Sequence, residues 1–577
     1  MRKLPLSILC ILSIALAMTP PGQGPKPSSP GLAAFMPTGS LLYVESPNFA
    51  GLIHDWENSR EKQKWLASDN YQVLSRSHLF LRLQEAQTQF ATAAGAPPDM
   101  ALLDSVAGEQ SALALYDIGN LEFMYITRLP SARAGQNVLW TNRAKFEPRK
   151  AADIPYYVRT EPAQNRLVAF AVSGDYLLLA TREDLIATAL ELLSGKSQPA
   201  LQDENWYKSA VSTAGQAGDL RMVLNMPQLV ESPHFRSYWI ERNITALKSY
   251  SAEVADVHRF PTEVREDRVL LRADSPADSE PPAAADAAIG ELLGMVPEQE
   301  GIYRAWSSPS ADSAVDLLTQ KILAPHSGPG APSQVAPGVV LTGGETGSES
   351  DLEMRIDVPP LQGAASAPST EALKKLLDAV PLQAALEFQR LQEIGRSAFI
   401  EPHSAVLIRG SGDWDSGAVR TALHATIEDL YTISQSGVKW VENHEGNATY
   451  FQLDGLVHLA VAAKGPILMV ADSAETLKPF LKDPRMDATG KNVIYVAGFR
   501  HSAERDNLVK IMRLIEMPLA PQGTGPQGQP GREPLFFSEN LLSLSQSLES
   551  IESESLVIEE RGSQLRQTVT YRLKVRP

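Results

Sequence analysis

One short unit occurs twice in this chain and limits the available folds more than any other feature. Gly174–Leu193 reads GDYLLLATREDLIATALELL, and Gly465–Leu481 reads GPILMVADSAETLKPFL. Each combines a glycine turn, a short apolar strand and an amphipathic helix opened by a polar residue. In the first copy Thr181 occupies the expected N-cap, with Asp184 three positions later to meet unpaired amides of the first turn. Leu185, Ala189, Leu192 and Leu193 supply the expected buried stripe, and Gly195 the stop.

Weaker echoes surround the pair in the same order. Met36–Tyr43 matches Val296–Tyr303, with proline and tyrosine at equal separation. Ser111–Leu115 matches Ser404–Ile408, Leu167–Val172 matches Leu456–Val461, and Asp219–Met226 matches Lys491–Gly498. Each half then closes on a strand pair: Val254–Phe260 with Arg268–Ala273, and Ser555–Glu560 with Leu565–Leu573. Such ordered similarity predicts an internal duplication. The expected class is α+β: two related modules, each a mainly antiparallel sheet covered by amphipathic helices.

The expected organisation is a signal peptide over 1–17, a Pro/Gly/Ser tether over 18–34 and a first module over 35–273. A linker with a lead-in helix (274–295) and a second module (296–577) follow, with loops near 325–350 and 518–534. Within the first module, helices are expected over Phe49–Trp65, Ser77–Ala94 and Gln228–Tyr250, the last broken at Ser232-Pro233. Leu79, Leu83, Ala86 and Phe90 recur at helical spacing in the second of these, and Ser111–Tyr116 with Glu122–Arg128 reads as a hairpin. The second module is expected to carry a helix over Ala311–Leu323, a strand at Leu352–Val358 and a helix over Thr370–Gln392 kinked by Pro381. Further helices are expected over Ala503–Glu516 and Ser538–Ile551.

Bulk properties narrow the function classes. With 577 residues the chain exceeds one hydrophobic core. Its formal charge of −16 disfavours nonspecific binding to nucleic acid or to an anionic membrane surface. Arg2-Lys3, the apolar run Leu4–Met18 and Ala15-Leu16-Ala17 read as an export signal with a small-residue cleavage site, placing the mature protein in the periplasm or on the outer face of a bacterial envelope. The only cysteine, Cys10, lies inside that run, so a mature chain has no thiol chemistry. No later segment is long and apolar enough to span a bilayer.

The Pro-containing turn before LLYV, the GDYLLLATREDL element and the paired arrangement resemble an uncharacterised family of bacterial exported proteins, the domain of unknown function numbered 3352. The resemblance covers most of residues 35–575. It implies an extracytoplasmic α+β protein without an established catalytic centre, and it offers no functional residues to transfer.

Motifs for chemistry are sparse. Glu442-Asn443-His444-Glu445, with Asp454 beyond a turn, holds oxygen and imidazole donors suited to a cation, yet its composition also suits a solvated hairpin. Asp413-Trp414-Asp415 lies in a Gly/Ser-rich loop that could present acids and an aromatic ring. Ser59 and Lys62 have the S-x-x-K spacing of a serine nucleophile with its lysine, without the companion motifs. Gly410-Ser411-Gly412 and Gly195-Lys196-Ser197 fall short of nucleotide-binding patterns. Trp56, Trp65 and Phe90 are expected to anchor helices to a sheet, and Trp206-Tyr207 and Tyr238-Trp239 suit either an interface or internal packing. Asn243 and Asn447 head glycosylation sequons. No catalytic, cofactor-binding or metal-ligating residue is assigned, and no cofactor is expected. The expected function is a noncatalytic extracytoplasmic binding or scaffold protein with an envelope protein partner. The alternatives are an extracytoplasmic hydrolase with an acidic or hydroxyl site, and a soluble carrier of an apolar ligand.

Overall fold

The structure is a computed structural model. It describes residues 31–574 except 68–70, 72–74, 76–77, 96–104, 162–165, 197, 234, 236–246, 274–283, 324–369, 394–399, 429–438, 455–458, 483–489 and 517–548. The chain divides into two units. The first runs to Asp278 and resumes at Gly562, and the second spans Ser279–Arg561. The closing strand, expected with the second module, therefore lies with the first unit.

The first unit contains β1 (Leu42–Ser46), β2 (Ser111–Asp117), β3 (Glu122–Arg128), β4 (Glu147–Ala151) and β5 (Ile154–Glu161). It continues with β6 (Arg166–Ser173), β7 (Tyr176–Ala180), β8 (Leu220–Asn225), β9 (Tyr250–Arg259) and β10 (Glu263–Arg272). The second contains β11 (Ile302–Ser307), β12 (Leu382–Glu393), β13 (Ile400–Gly410), β14 (Lys439–Glu445) and β15 (Ala448–Asp454). After these come β16 (Ala460–Lys464), β17 (Ile467–Ala471), β18 (Val493–Phe499) and β19 (Ile551–Arg561), and β20 (Gln564–Leu573) returns to pair with β10.

All these pairings are antiparallel, and with the helices they make the fold α+β. In the first unit the order is β4-β5-β6-β7-β3-β2-β1-β8-β9-β10-β20. In the second it is β14-β15-β16-β17-β13-β12-β11-β18-β19. From the edge hairpin to β9 and β19 the two orders are the same, and so are the registers. Leu42 faces Leu115 and Leu224, as Ile302 faces Gln389 and Phe499. Met124 and Ala169 both face Ala180, as Ala405 and Ala460 both face Ala471. Ala151–Ile154 and Glu445–Ala448 each close a two-residue turn.

Backbone capping recurs as well. The Phe123 amide donates to Thr181 Oγ1 at 2.8 Å, and at the matching place the Ser404 amide donates to Asp472 Oδ2 at 2.7 Å. Thr181 is thus not the N-cap expected of it. Its hydroxyl is taken by β3, and Arg182 holds the cap position without a side-chain bond to the first-turn amides. The following helix, α1 (Glu183–Leu193), buries Leu185, Ile186, Ala189 and Leu190, so its inner stripe lies one step round from the expected one.

These four side chains share a buried cluster with Tyr43, Ala112, Met124, Ala169 and Leu178 from the strands, and with Tyr207 and Ala210 of α2 (Asn205–Ala214). Tyr125, Phe170, Leu177 and Leu179 belong to a separate cluster with Leu139 and Phe146, as strand alternation requires. In the second unit Leu386, Leu407 and Met469 cluster with Ile289 and Leu292 of α3 (Ala284–Leu293), the expected lead-in helix.

Other expectations shift. Leu382–Gln392 is strand β12, with helix only over Glu371–Asp378, because the segment pairs on both sides with β11 and β13. Ser404–Ile408 lies in β13, whose counterpart is β3, so its echo with Ser111–Leu115 in β2 is one strand out of place. Phe49–Trp65 divides into helices Phe49–Glu57 and Arg60–Ala67, and the helix from residue 78 runs to Ala94. Of the helix expected over Gln228–Tyr250, Met226–Glu231 is helical, the break falls at Ser232 as expected, Pro233, Phe235 and Leu247 are again helical, and Tyr250 opens β9. Leu352–Val358 and residues 538–548 lie outside the described residues, and Ile551 begins β19.

Candidate functional site

The residues singled out by motif are largely committed to local structure. Ser59 is buried, its Oγ donates to the Trp56 carbonyl at 2.8 Å, and it accepts from the Lys62 amide at 3.0 Å. The Lys62 ammonium pairs with Glu57, so the geometry is that of a helix N-cap. Trp414 is buried and its indole N–H donates to the Pro466 carbonyl at 2.9 Å. Asp415 Oδ1 accepts from the Ala418 amide at 2.6 Å at the start of the helix Ser416–Glu428, and Asp413 is exposed on the other side of the tryptophan. This loop is therefore a helix cap with a packed indole.

Glu442, His444 and Glu445 stand on the exposed edge strand β14. His444 Nδ1 lies 3.2 Å from Thr449 Oγ1 across the hairpin, and its Nε2 is 3.8 Å from Glu442. Asp454 faces Lys439 at the opposite end of that hairpin. Six residues of strand, about 20 Å, separate that end from Glu445. The five residues are not gathered around one point.

Gly195 adopts φ +80° as a helix stop, and Ser197, Tyr238, Trp239 and Asn243 lie outside the described residues. Asn447 is exposed in the β14–β15 turn. Phe90 packs against Phe123, Trp65 against Tyr71, and Trp206 against Tyr207, whose ring meets Tyr43 edge-on at 5.6 Å. Trp56 is half-buried.

What the motifs missed is a set of buried charges within the sheets. Arg221 on β8 and Asp256 on β9 form a bidentate pair with both contacts at 2.7 Å, and their side chains are 4% and 3% exposed. Asp256 Oδ1 also accepts from the Gly218 amide, and Arg221 donates to the Gly215 carbonyl. Glu45 on β1 faces Arg221 and accepts from the Tyr43 hydroxyl at 2.9 Å. Burial raises the Glu45 carboxyl above the ordinary range, against the opposing pull of Tyr43 and Arg221. In the second unit the facing trio at these positions is Ala305, Val496 and Val557, all apolar.

The reverse occurs one residue along. Glu387 accepts from Arg304 at 2.6 Å and lies 2.8 Å from the Lys321 ammonium. Burial would raise this carboxyl, and the two cations outweigh it and hold it low. Val44 and Leu113 occupy the corresponding places in the first unit. A third pair joins His403 Nδ1 to Asp472 Oδ2 at 3.4 Å. The Asp472 contact raises His403 over the opposing effect of burial. Burial acts upward on Asp472, yet its bonds from His403 and the Ser404 amide, with the hydroxyl of Thr476, leave it below the usual range.

The one sequence signal for these groups is a charge at an inward position of an apolar strand, such as Arg221 in LRMVLN. Each cluster fixes charge against charge inside a sheet, and none places a nucleophile beside a free general base. No group of three His, Cys, Asp or Glu side chains able to hold a metal occurs among the described residues, and no described helix is long and apolar enough to cross a membrane.

No protein-family model matches the chain, and no curated protein matches it. Among solved structures it is similar to crystal forms I, IV and III of TP0453, at 11%, 10% and 10% sequence identity. The matches cover 44%, 42% and 44% of this chain and 82%, 81% and 84% of the other, each with a TM-score of 0.23. A likeness of that size carries no argument about function.

Proposed function

We propose that this chain is a noncatalytic extracytoplasmic binding or scaffold protein, exported by its N-terminal signal and working beside an envelope protein partner. It consists of two copies of one α+β module, each a sheet covered by amphipathic helices, on the pattern of the domain-of-unknown-function 3352 family it resembles. The observation that carries the reading is the shared register: strand order, facing residues and the Thr181 and Asp472 caps recur while side-chain chemistry does not. A duplicated frame with divergent surfaces suits presentation of two different faces. Ser59, Trp414 and Asp415 serve caps and packing, and Glu442, His444 and Glu445 stand exposed on an edge, which suits recognition as the use of the surface.

Crosslinking in intact envelopes, followed by detergent extraction and identification of neighbours, tests this. A reproducible neighbour of another sequence is the expected result. Recovery of the chain in a cytoplasmic fraction with its leader intact, or free of any such neighbour, refutes it.

A further inference from the structure

The two edge hairpins share a backbone and differ in charge. At the first unit's edge, residues 143–151 include Arg143, Lys145, Arg149 and Lys150 against the single acid Glu147, in a chain whose formal charge is −16. Arg149 is engaged by Glu147 and Glu183. Arg143, Lys145 and Lys150 are exposed, and none has a carboxylate partner among the described residues. Arg143 lies over the Trp140 ring at 4.8 Å, and Trp140 meets Tyr157 of β5 at 5.9 Å. Pairing places Lys150 opposite Pro155, two residues before Tyr157, so Lys150 shares a sheet face with Tyr157. The cations thus border a half-buried aromatic pair.

Turn on turn, Lys150 corresponds to His444, Pro148 to Glu442 and Ala151 to Glu445. The second unit's edge therefore presents exposed Glu442 and Glu445, with Lys439 at the far end of the strand. Among the described residues β4 pairs with β5 alone and β14 with β15 alone.

We propose that these edges are the two halves of a self-contact, in which the basic β4 edge of one copy docks on the acidic β14 edge of another. This adds a second copy of the chain beside the envelope partner of the scaffold reading and rests on that reading for its biological sense. Like edges repel, so an isologous contact through either edge is disfavoured and the association is head-to-tail. Pro148 lacks an N–H and Lys150 puts a charge on the edge, which bars continuous strand addition. The contact is accordingly made by side chains. Exposed ion pairs are individually weak and screened by salt, so it is reversible and salt-sensitive.

Sedimentation velocity of the purified full-length protein over a concentration series tests this. At about 0.05 M salt the weight-average coefficient should rise with concentration, and at about 0.5 M it should fall to that of a single species. The variants Lys145→Glu/Lys150→Glu and Glu442→Lys/Glu445→Lys should each remain a single species alone. Their equimolar mixture should associate again, since one then carries only acidic edges and the other only basic ones. All four positions are exposed, and unchanged melting curves confirm that the variants fold. A single species for the wild type at every concentration in low salt overturns the proposal, as does association indifferent to both reversals. Loss of binding to phosphatidylglycerol vesicles in Lys145→Glu/Lys150→Glu, with no self-association of the wild type, also overturns it and assigns the basic edge to a membrane. Each of these results leaves envelope crosslinking to other proteins untouched, so the two readings fail separately.

Discussion

The second unit shows how the Arg221–Asp256 pair would look if it were apolar, and this makes its energetics testable. Replacing Asp256 by valine, the residue type of Val557, leaves the Arg221 guanidinium buried with the Gly215 carbonyl as its remaining described acceptor and the Gly218 amide without its acceptor. Removing one partner of a buried pair costs about 3–5 kcal/mol. Replacing both, as Arg221→Val with Asp256→Val, removes the stranded charge and copies Val496 and Val557. What remains is the unpaired Gly218 amide, the volume lost from arginine, and Glu45, which loses its facing cation, keeps its bond from Tyr43 and is already favoured in its neutral form by burial, together about 1–3 kcal/mol. The double variant should therefore be more stable than Asp256→Val by about 2 kcal/mol, a strong departure from additivity. Urea unfolding followed by hydrogen exchange in peptides from β8 and β9 measures this, with β18 and β19 as the internal control. With a slope of about 2 kcal/mol per molar, the first unit's midpoint should fall by about 2 M in the single variant and by about 1 M in the double. A double variant as costly as the two singles summed would refute the claim that this pair is replaceable packing.

The His403–Asp472 pair makes a pH prediction. A raised histidine stabilises the fold below its unfolded value near 6.5 and loses that contribution as pH climbs through the folded value. A lowered aspartate contributes above about 3.9 and loses it as pH falls through its folded value. The pair's contribution should be greatest between about 4 and 6.5, and Asp472→Asn should bring the His403 titration followed by NMR back down toward the ordinary value. Gly498 faces Tyr303, and a Cβ there would lie 2.3 Å from the Tyr303 ring. Gly498→Val, which copies Val223 of the first unit, should thus lower thermal stability by about 1–3 kcal/mol, whereas Tyr303→Ala in the same background should recover part of the loss. Asp415→Ala should cost about 1 kcal/mol through the lost cap, measured by denaturant unfolding. A hydrolase reading of that loop instead requires loss of an ester- or glycoside-cleaving activity.

The sequence disclosed the frame where backbone geometry demands a residue type. Gly174 and Gly465 adopt φ +57° and +55°, and the apolar runs after them become the paired strands β7 and β17. Pro37 with Tyr43 and Pro297 with Tyr303 mark equivalent strand starts. Failure came where two periods fit one segment. LQAALEFQRLQE is rich in helix formers, and its strand state depends on β11 and β13, which no local pattern displays. Apolar strands such as β2 and β13 are interchangeable in composition, so their echo slipped until pairing fixed the order. The buried pairs were invisible for the same reason: Arg221 and Asp256 are 35 residues apart, and only the β8–β9 register makes them neighbours.

Comparison of two like frames separates architectural chemistry from chemistry that one copy alone carries. Thr181 and Asp472 differ in charge yet both accept from the amide at the matching position of the neighbouring strand, so that position requires an acceptor and nothing more specific. The charged clusters obey no such demand, because Ala305, Val496 and Val557 stand where Glu45, Arg221 and Asp256 do, and Val44 and Leu113 stand where Arg304 and Glu387 do. An ion cluster where valine and alanine suffice does not follow from the fold's packing needs, and buried ion pairs often contribute no more stability than apolar replacements. The same logic applies at the edges, where Lys150 and His444 sit on one backbone position in different fields. If the frame alone mattered, exchanging those side chains would change nothing measurable. Mixing of the two charge-reversed variants is therefore the sharper test of what the two edges do, since it leaves both frames intact and alters only the sign of what they present.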